Sequence, residues 1–490
     1  MVEIEVNNRS HSINTMNNFV KKLLGFSIGP VAGAFITFVT VPLTTYFISP
    51  NEYGKASMFA LFQMIFGTFL YFGIDQAYTR EYHSAKNKLN LFQNAIFIPL
   101  VIAFVLFLTI IILPSPVSKL LFNNSNLVLP SILFGLMIIA MVVERFILLS
   151  LRMEEKALEY SLINIFTKLS ILIFTLLFVI YIRRDFLAVV YSTVFGQIII
   201  DGYLVIRYRN LFEYKKFNLN KRLLKKMFQF GFPIVIATSL SSLLNSLDRL
   251  SLRAWSDFYE VGIFAATLKI AGALSIIQVS FTSFWVPTAY RWYEERKEIE
   301  YFKIVSDSVL LLMSILFVGI LMLKDLIIYI LSPGYADATY IVAFLCLQPI
   351  IYTVSETTCL GIVFSKKTYL SIWVGLIAIV PNILINVLLV PKFGAIGAAV
   401  ATAVAYIFFF ISRTYFSNKN GMSFSVRKHY GVIVLLLAGA FLNLVPFKSM
   451  YVVNISLLIL LLVCQFTTLK VMWTIYRRRN TKEFNFRNII

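Results

Sequence analysis

Residues 231–254 read GFPIVIATSLSSLLNSLDRLSLRA. At 1.5 Å per residue the stretch is long enough to cross a hydrocarbon core of about 30 Å. Its first charges are Asp248 and Arg249. Wound at 100° per residue, Thr238, Ser241, Ser242, Asn245, Asp248 and Arg249 fall within a sector of about 120°. Leu240, Leu243, Leu244, Leu247 and Leu250 take the opposite face. One side of this helix meets apolar packing, and the other must meet water or polar partners. Serines alone would serve close helix packing; Asn245, Asp248 and Arg249 add polarity that packing does not require. The face predicts a cavity lining.

The rest of the chain repeats the theme. Of 490 residues, 59% are hydrophobic and only 14% charged, where soluble domains run near a quarter charged. Lipid is therefore the expected solvent. Apolar runs of spanning length recur from Leu23 to Trp473, and their number predicts about fourteen transmembrane helices. The first 18 or so residues are polar and the run after Lys21–Lys22 is long enough to span, so a retained N-terminus is expected. The predicted order is a cytoplasmic N-terminus (1–22), a six-helix bundle (23–206), a basic linker (207–230), a second six-helix bundle (231–416), two further helices (430–473) and a cytoplasmic tail (474–490).

The net charge of +20 is explained by location. Most of the Lys and Arg fall in segments that an N-inside topology puts in the cytoplasm. Both termini are thus expected inside, and no nucleic-acid partner is needed. The linker alternates Lys221, Arg222, Lys225 and Lys226 with Leu223, Leu224, Met227 and Phe228, the pattern of a basic amphipathic helix on an inner leaflet.

A weak repeat relates the halves. Lys21-Lys22-Leu23-Leu24-Gly25-Phe26 opens the first span and Lys225-Lys226-Met227-Phe228 precedes the seventh. Some 30 residues on, Glu52-Tyr53-Gly54 and Glu260-Val261-Gly262 introduce the second and eighth. An even number of spans separates the copies, so the repeat is parallel, and such repeats set a substrate path between the halves. The first span carries an uncharged stripe of Gly29, Gly33, Thr37, Thr40 and Thr44, with Pro30 and Pro42 to bend it.

Lys168, Lys269 and Glu356 lie deep in spans. Each costs about 2.5–3.5 kcal/mol at the bilayer centre, so an interior position is expected for all three. Glu356 shares a stripe with Gln348, Tyr352 and Ser355, where a structural ion pair competes with a functional role. Asp75, Glu144, Arg145 and Asp201 read mainly as interfacial. There is no P-loop, HExxH or G-x-S-x-G. Cys346, Cys359 and Cys464 fall in apolar runs and imply no disulfide framework, and His11, His83 and His429 are too far apart for metal-ligand spacing. A transporter with no cofactor is expected, not an enzyme. A glycosyltransferase or polymerase would carry a large outward loop, and the outward loops here are short. Richness in Lys, Asn and Ile points to a bacterial source.

Three segments carry a family resemblance: Ile48-Ser49-Pro50-Asn51-Glu52-Tyr53-Gly54 with Gly73-Ile74-Asp75-Gln76-Ala77 and Arg80-Glu81-Tyr82; Asp248-Arg249 with Val261-Gly262-Ile263-Phe264 and Lys269-Ile270; and Asn382-Ile383-Leu384-Ile385-Asn386 with Pro391-Lys392-Phe393-Gly394-Ala395-Ile396-Gly397-Ala398-Ala399. Over nearly its whole length the chain resembles the Wzx-type polysaccharide (O-antigen or capsule repeat unit) flippases of the multidrug/oligosaccharidyl-lipid/polysaccharide exporter superfamily. The resemblance implies an all-α, V-shaped pair of pseudo-symmetric six-helix bundles plus two C-terminal helices. It implies alternating access that moves undecaprenyl-pyrophosphate-linked oligosaccharide to the outer leaflet of a bacterial inner membrane. A polysaccharide polymerase and a chain-length regulator are the implied partners. Drug/cation antiporters and peptidoglycan-precursor (lipid II) flippases are the alternatives within the superfamily; the latter carry a cation in their first helix, which this sequence lacks. The expected substrate-binding residues are Lys269, Arg249, Lys168, Asn245, Ser242, Thr238, Thr37 and Thr40. Glu356, Asp75 and Asp248 are the expected sites of H+ or Na+ coupling.

Overall fold

The computed structural model describes residues 28–213, 217–367, 369–445 and 449–478. The expected N-terminal segment 1–22, the Lys21–Phe26 copy of the repeat and most of the tail 474–490 lie outside the described residues. Every described element is a helix. In chain order they are α1 (Ile28–Phe47), α2 (Pro50–Leu70), α3 (Ile74–Glu81), α4 (Lys88–Ile112), α5 (Pro114–Phe122), α6 (Val128–Met153), α7 (Ala157–Leu177), α8 (Phe186–Arg207) and α9 (Lys221–Trp255). Then follow α10 (Phe258–Ala271), α11 (Leu274–Glu294), α12 (Ile299–Leu331), α13 (Ala338–Thr358), α14 (Leu360–Phe364), α15 (Leu370–Lys419), α16 (Arg427–Leu442), α17 (Met450–Cys464) and α18 (Phe466–Arg478).

Among the described residues nine helices are long and apolar enough to cross a membrane, or up to twelve if three bent pairs each form one span. The sequence count of about fourteen differs at two places. Helix α15 holds two expected spans, joined through Gly394 in a non-helical conformation (φ 50, ψ −127). Helix α16 has only 16 residues, short for a span of about 20. Long apolar side chains that point outward, such as Phe104, Val105 and Ile112 on α4, are the surface that lipid would cover. With its apolar spans the chain is a multi-pass membrane protein.

Two compact units divide the chain, one ending at Ser242 and the other beginning at Leu243. The division falls inside α9, not in the 207–230 linker. Linker residues from Lys221 onward form the first turns of α9 itself. These turns dock on the first unit through two glycines. A Cβ added to Gly231 would lie 2.6 Å from the backbone of Gly73, and one on Gly73 only 2.3 Å from Gly231 O. Gly73 also has φ +68, a left-handed conformation that glycine adopts freely. Lys226 pairs with Glu81 beside this crossing.

The first unit packs around buried Phe59, Tyr78, Phe92, Phe134 and Phe146. The second is built on α13, which packs against α10, α11, α12 and α15 and has 78% of its spanning window buried.

Within each unit the second span is broken. Helices α2 and α3 meet at 52° around Tyr71–Gly73, and α10 and α11 meet at 40° around Gly272–Ala273. The repeated glutamate that introduces each of these spans does the same job in both. Glu52 Oε2 accepts a hydrogen bond from Phe186 N, the first residue of α8, at 3.0 Å. Glu260 Oε2 accepts one from Ala395 N, just past the Gly394 kink, at 2.8 Å. Each carboxylate thereby satisfies an orphan donor at a helix start and sits at the positive end of its dipole.

Candidate functional site

In the first unit the α2/α3 break opens a cleft of about 300 Å³. Thr68 from α2, Tyr71 from the break, Asp75 from α3, Arg145 from α6, and Thr238 and Ser242 from α9 line it. Three expected residues, Asp75, Thr238 and Ser242, are thus brought together. Ser242 Oγ lies 3.0 Å from Thr68 Oγ1. Asp75 is buried and receives hydrogen bonds from Arg145 Nη2 at 2.7 Å and Gln76 Nε2 at 3.0 Å. Arg145, read from sequence as interfacial, has a side chain still 41% exposed in this cleft. Its neighbour Glu144 accepts a hydrogen bond from Gln197 Nε2 at 2.8 Å, and the same amide reaches Asp201 at 3.2 Å. Lys168, exposed on α7, is close enough for its charge to act on Glu144. Glu144, Gln197 and Asp201 thus form one polar cluster where α6 and α8 turn their polar positions toward each other, and Asp75 with Arg145 forms a second.

Helix α1 lies against α7 through the small residues of its stripe. Gly29 N donates to Ser161 Oγ at 3.1 Å, and a Cβ at Gly29 would fall 2.5 Å from Ser161 Cα. The hydroxyls of Thr37 and Thr40 donate to their own helix, to Gly33 O at 2.8 Å and Ile36 O at 2.7 Å.

In the second unit the polar face of α9 continues. Asp248 is 4% exposed. Its Oδ1 accepts from Asn382 Nδ2 at 3.0 Å and Asn386 Nδ2 at 2.8 Å, and its Oδ2 from Thr402 Oγ1 at 2.6 Å. All three partners are neutral and buried. Three charge-assisted bonds at roughly 1.5–3 kcal/mol each offset a desolvation cost of several kcal/mol for a buried carboxylate. Asn386 Oδ1 is buried here without a hydrogen-bond partner. Two amide N–H groups and one hydroxyl hydrogen thus face the carboxylate, an arrangement that holds its charged form through hydrogen bonds. Half-buried Arg249 is the next residue in the chain. One turn earlier, Asn245 Oδ1 accepts from Gln348 Nε2 and Tyr406 OH, both at 3.3 Å.

The two remaining residues stand apart from that cluster. Glu356 forms a 2.8 Å ion pair with Arg413, which also donates to Ser355 Oγ at 2.8 Å and lies over the Tyr352 and Phe409 rings. The structural ion pair anticipated for Glu356 has its partner. Lys269 is exposed in the last turn of α10, beside the break into α11. Nothing in the sequence pointed to Arg413, Tyr406 and Thr402, while Arg145 and Gln348 read there only as an interfacial charge and as part of the Glu356 stripe. Asn382 and Asn386 carried a signal, as two amides four residues apart share a helix face.

A polytopic helical bundle with a broken second span in each unit and a buried, hydrogen-bonded carboxylate has the architecture of a membrane transporter. A structure of the lipid II flippase MurJ in an inward-closed conformation superposes with a TM-score of 0.69 at 16% identity, over 92% of this chain and 99% of that one. The chain belongs to the polysaccharide biosynthesis protein family, whose profile matches residues 19–293. It is 24% identical over 404 residues to an uncharacterized membrane protein of Methanocaldococcus jannaschii, covering 76% of this chain and 78% of the other. It is 22% identical over 269 residues to the capsular polysaccharide biosynthesis protein CapF of Staphylococcus aureus, covering 52% and 66%. The flippase-family resemblance read from the sequence holds at this level.

Proposed function

We propose that the protein is a flippase for undecaprenyl-pyrophosphate-linked oligosaccharide. It moves these units from the cytoplasmic to the outer leaflet of a bacterial inner membrane by alternating access, for O-antigen or capsule assembly. The observation that carries this reading is the broken second span of each unit with a cation beside each break: Arg145 of α6, paired with Asp75 but still 41% exposed in the α2/α3 cleft, and Lys269 in the last turn of α10. Broken spans at corresponding positions of two halves point to a transport site. Cations there suit a pyrophosphate, whose oxygens take charge-assisted hydrogen bonds. Thr37, Thr40, Lys168, Thr238 and Ser242 in the first unit and Asn245 and Arg249 in the second are the other residues proposed to meet the substrate, with polymerase and chain-length regulator as partners downstream.

Coupling is assigned to Asp248. Asp75 and Glu356 are each held in a short ion pair with an arginine, whereas Asp248 takes its hydrogen bonds from neutral side chains, with the Arg249 charge acting on it as well; a proton or Na+ is the proposed partner of its carboxylate. A divalent anion leaving a negative cytoplasm gains about 4.6 kcal/mol per 100 mV if its charge crosses the whole field, so the potential favours outward movement without ATP.

Deleting the gene in its host, with polysaccharide initiation blocked in a control strain, tests the reading. Lipid-linked oligosaccharide should accumulate on the cytoplasmic face and surface polysaccharide should disappear. Unchanged polysaccharide with raised sensitivity to cationic drugs would replace this substrate with that of a drug exporter.

A further inference from the structure

At one end of the second unit lies a cleft of about 380 Å³ that the transport site does not use. Its walls are Glu300, Lys303 and Asp307 from the first turns of α12, Lys428 from α16, and Thr467 and Thr468 from α18. Helix α12 has 33 residues and is therefore about 50 Å long, well beyond the ~30 Å hydrocarbon thickness. Helix α18 leaves α17 at a 67° bend and exposes Phe466, Met472 and Trp473 beside the cations Lys470 and Arg477, the makeup of a helix lying in the interface.

Charges in this cleft are arranged unevenly. Lys428 Nζ is held by Asp307 Oδ2 at 2.8 Å and Thr468 Oγ1 at 3.0 Å, tying the three walls together. Glu300 and Lys303 stand one turn apart on α12, where an acid and a base commonly pair, yet they form no ion pair with each other or with any other described residue. Glu300 Oε2 is buried without a hydrogen-bond partner. What satisfies both side chains is a ligand with an N–H cation for Glu300 and an anion for Lys303.

We infer that this cleft binds the headgroup of an ethanolamine phospholipid, its primary ammonium on Glu300 and its phosphodiester on Lys303. Apolar Ile304 and Val471 on the same walls and the interfacial α18 favour a lipid over a soluble zwitterion. Choline lipids carry the same charges but no N–H to donate. Glycerol lipids supply no cation, and Glu300 and Asp307 oppose a purely anionic headgroup.

Native mass spectrometry of the detergent-purified full chain tests this, using phosphatidylethanolamine, phosphatidylcholine and phosphatidylglycerol with identical acyl chains. Ethanolamine lipid should bind about tenfold tighter than choline lipid, the scale of one charge-assisted hydrogen bond. Glu300→Gln should erase that preference, and Lys303→Gln should weaken binding of all three lipids. Equal binding of ethanolamine and choline lipids by the unaltered protein overturns the inference without any variant. So does a preference that survives Glu300→Gln, or glycerophosphoethanolamine binding as tightly as the intact lipid.

Discussion

Glu260 Oε2 accepts a hydrogen bond from Ala395 N at 2.8 Å, bridging the start of α10 to the backbone just past the Gly394 kink. Glu52 makes the equivalent bond to Phe186 N at 3.0 Å in the other half. The repeated Glu-x-Gly of the sequence is thus a structural lock in both halves. Replacing Glu260 by Ala leaves an orphan N–H at a helix start and should cost about 1–2 kcal/mol, read as a lowered Tm of the purified protein. Gly394→Ala should cost more, since its φ is +50 and the new Cβ would lie 2.6 Å from the Glu260 carboxyl carbon. A Tm unchanged in both variants contradicts the lock.

The crossing of Gly73 and Gly231 leaves no room for side chains. Gly231→Val should push α9 off the α2/α3 break, at a cost in the range of about 1–3 kcal/mol for overpacking. It should open the cleft that Thr238 and Ser242 line. Surface polysaccharide in a complemented deletion strain should fall sharply while Gly202→Ala, whose added Cβ meets nothing within 4 Å, leaves it intact.

The Glu356–Arg413 pair separates structure from coupling. Removing one partner strands a buried charge, a loss of about 3–5 kcal/mol, whereas Glu356→Gln with Arg413→Gln should recover much of it. A double-mutant cycle on thermal stability measures this. If ion dependence of transport survives in the double variant, the pair is structural. If it is lost, coupling runs through Glu356.

Asp248→Asn keeps side-chain shape and much of the hydrogen bonding but removes the charge. Transport by this variant should lose its response to the proton or Na+ gradient, by about tenfold, within the usual 1–3 kcal/mol of linked equilibria. The variant should remain folded by Tm. An intact ion response in Asp248→Asn places coupling elsewhere.

How much of this was legible in the chain differs between fold and site. Apolar runs and the repeat announced a helical membrane protein, because in lipid each span must satisfy its own backbone. The polar face of 231–254 pointed to Asp248 for the same reason: a residue so expensive in lipid needs a partner. The partners themselves were not legible. Thr402 is 154 positions from Asp248, and Arg145 is 70 from Asp75; only packing chooses between such residues. Thr37 and Thr40 illustrate the opposite limit, since a threonine in a membrane helix can spend its hydroxyl on its own backbone. Sequence alone sets the basic linker 207–230 apart from the seventh span, whereas its residues from Lys221 onward wind into α9, which the Gly73–Gly231 contact holds against the α2/α3 break.

The most direct measurement is flipping itself, in proteoliposomes loaded with undecaprenyl-pyrophosphate oligosaccharide and probed by an impermeant glycosidase. The unaltered protein should expose the inner-leaflet saccharide to the enzyme, faster with the interior of the substrate-donating face held negative. Lys269→Gln, and Arg145→Gln made together with Asp75→Asn so that no buried carboxylate is stranded, should each slow it by about tenfold or more, the scale of one charge-assisted contact to phosphate. Saccharide that stays protected in the presence of the unaltered protein, under any potential or ion gradient, contradicts the account.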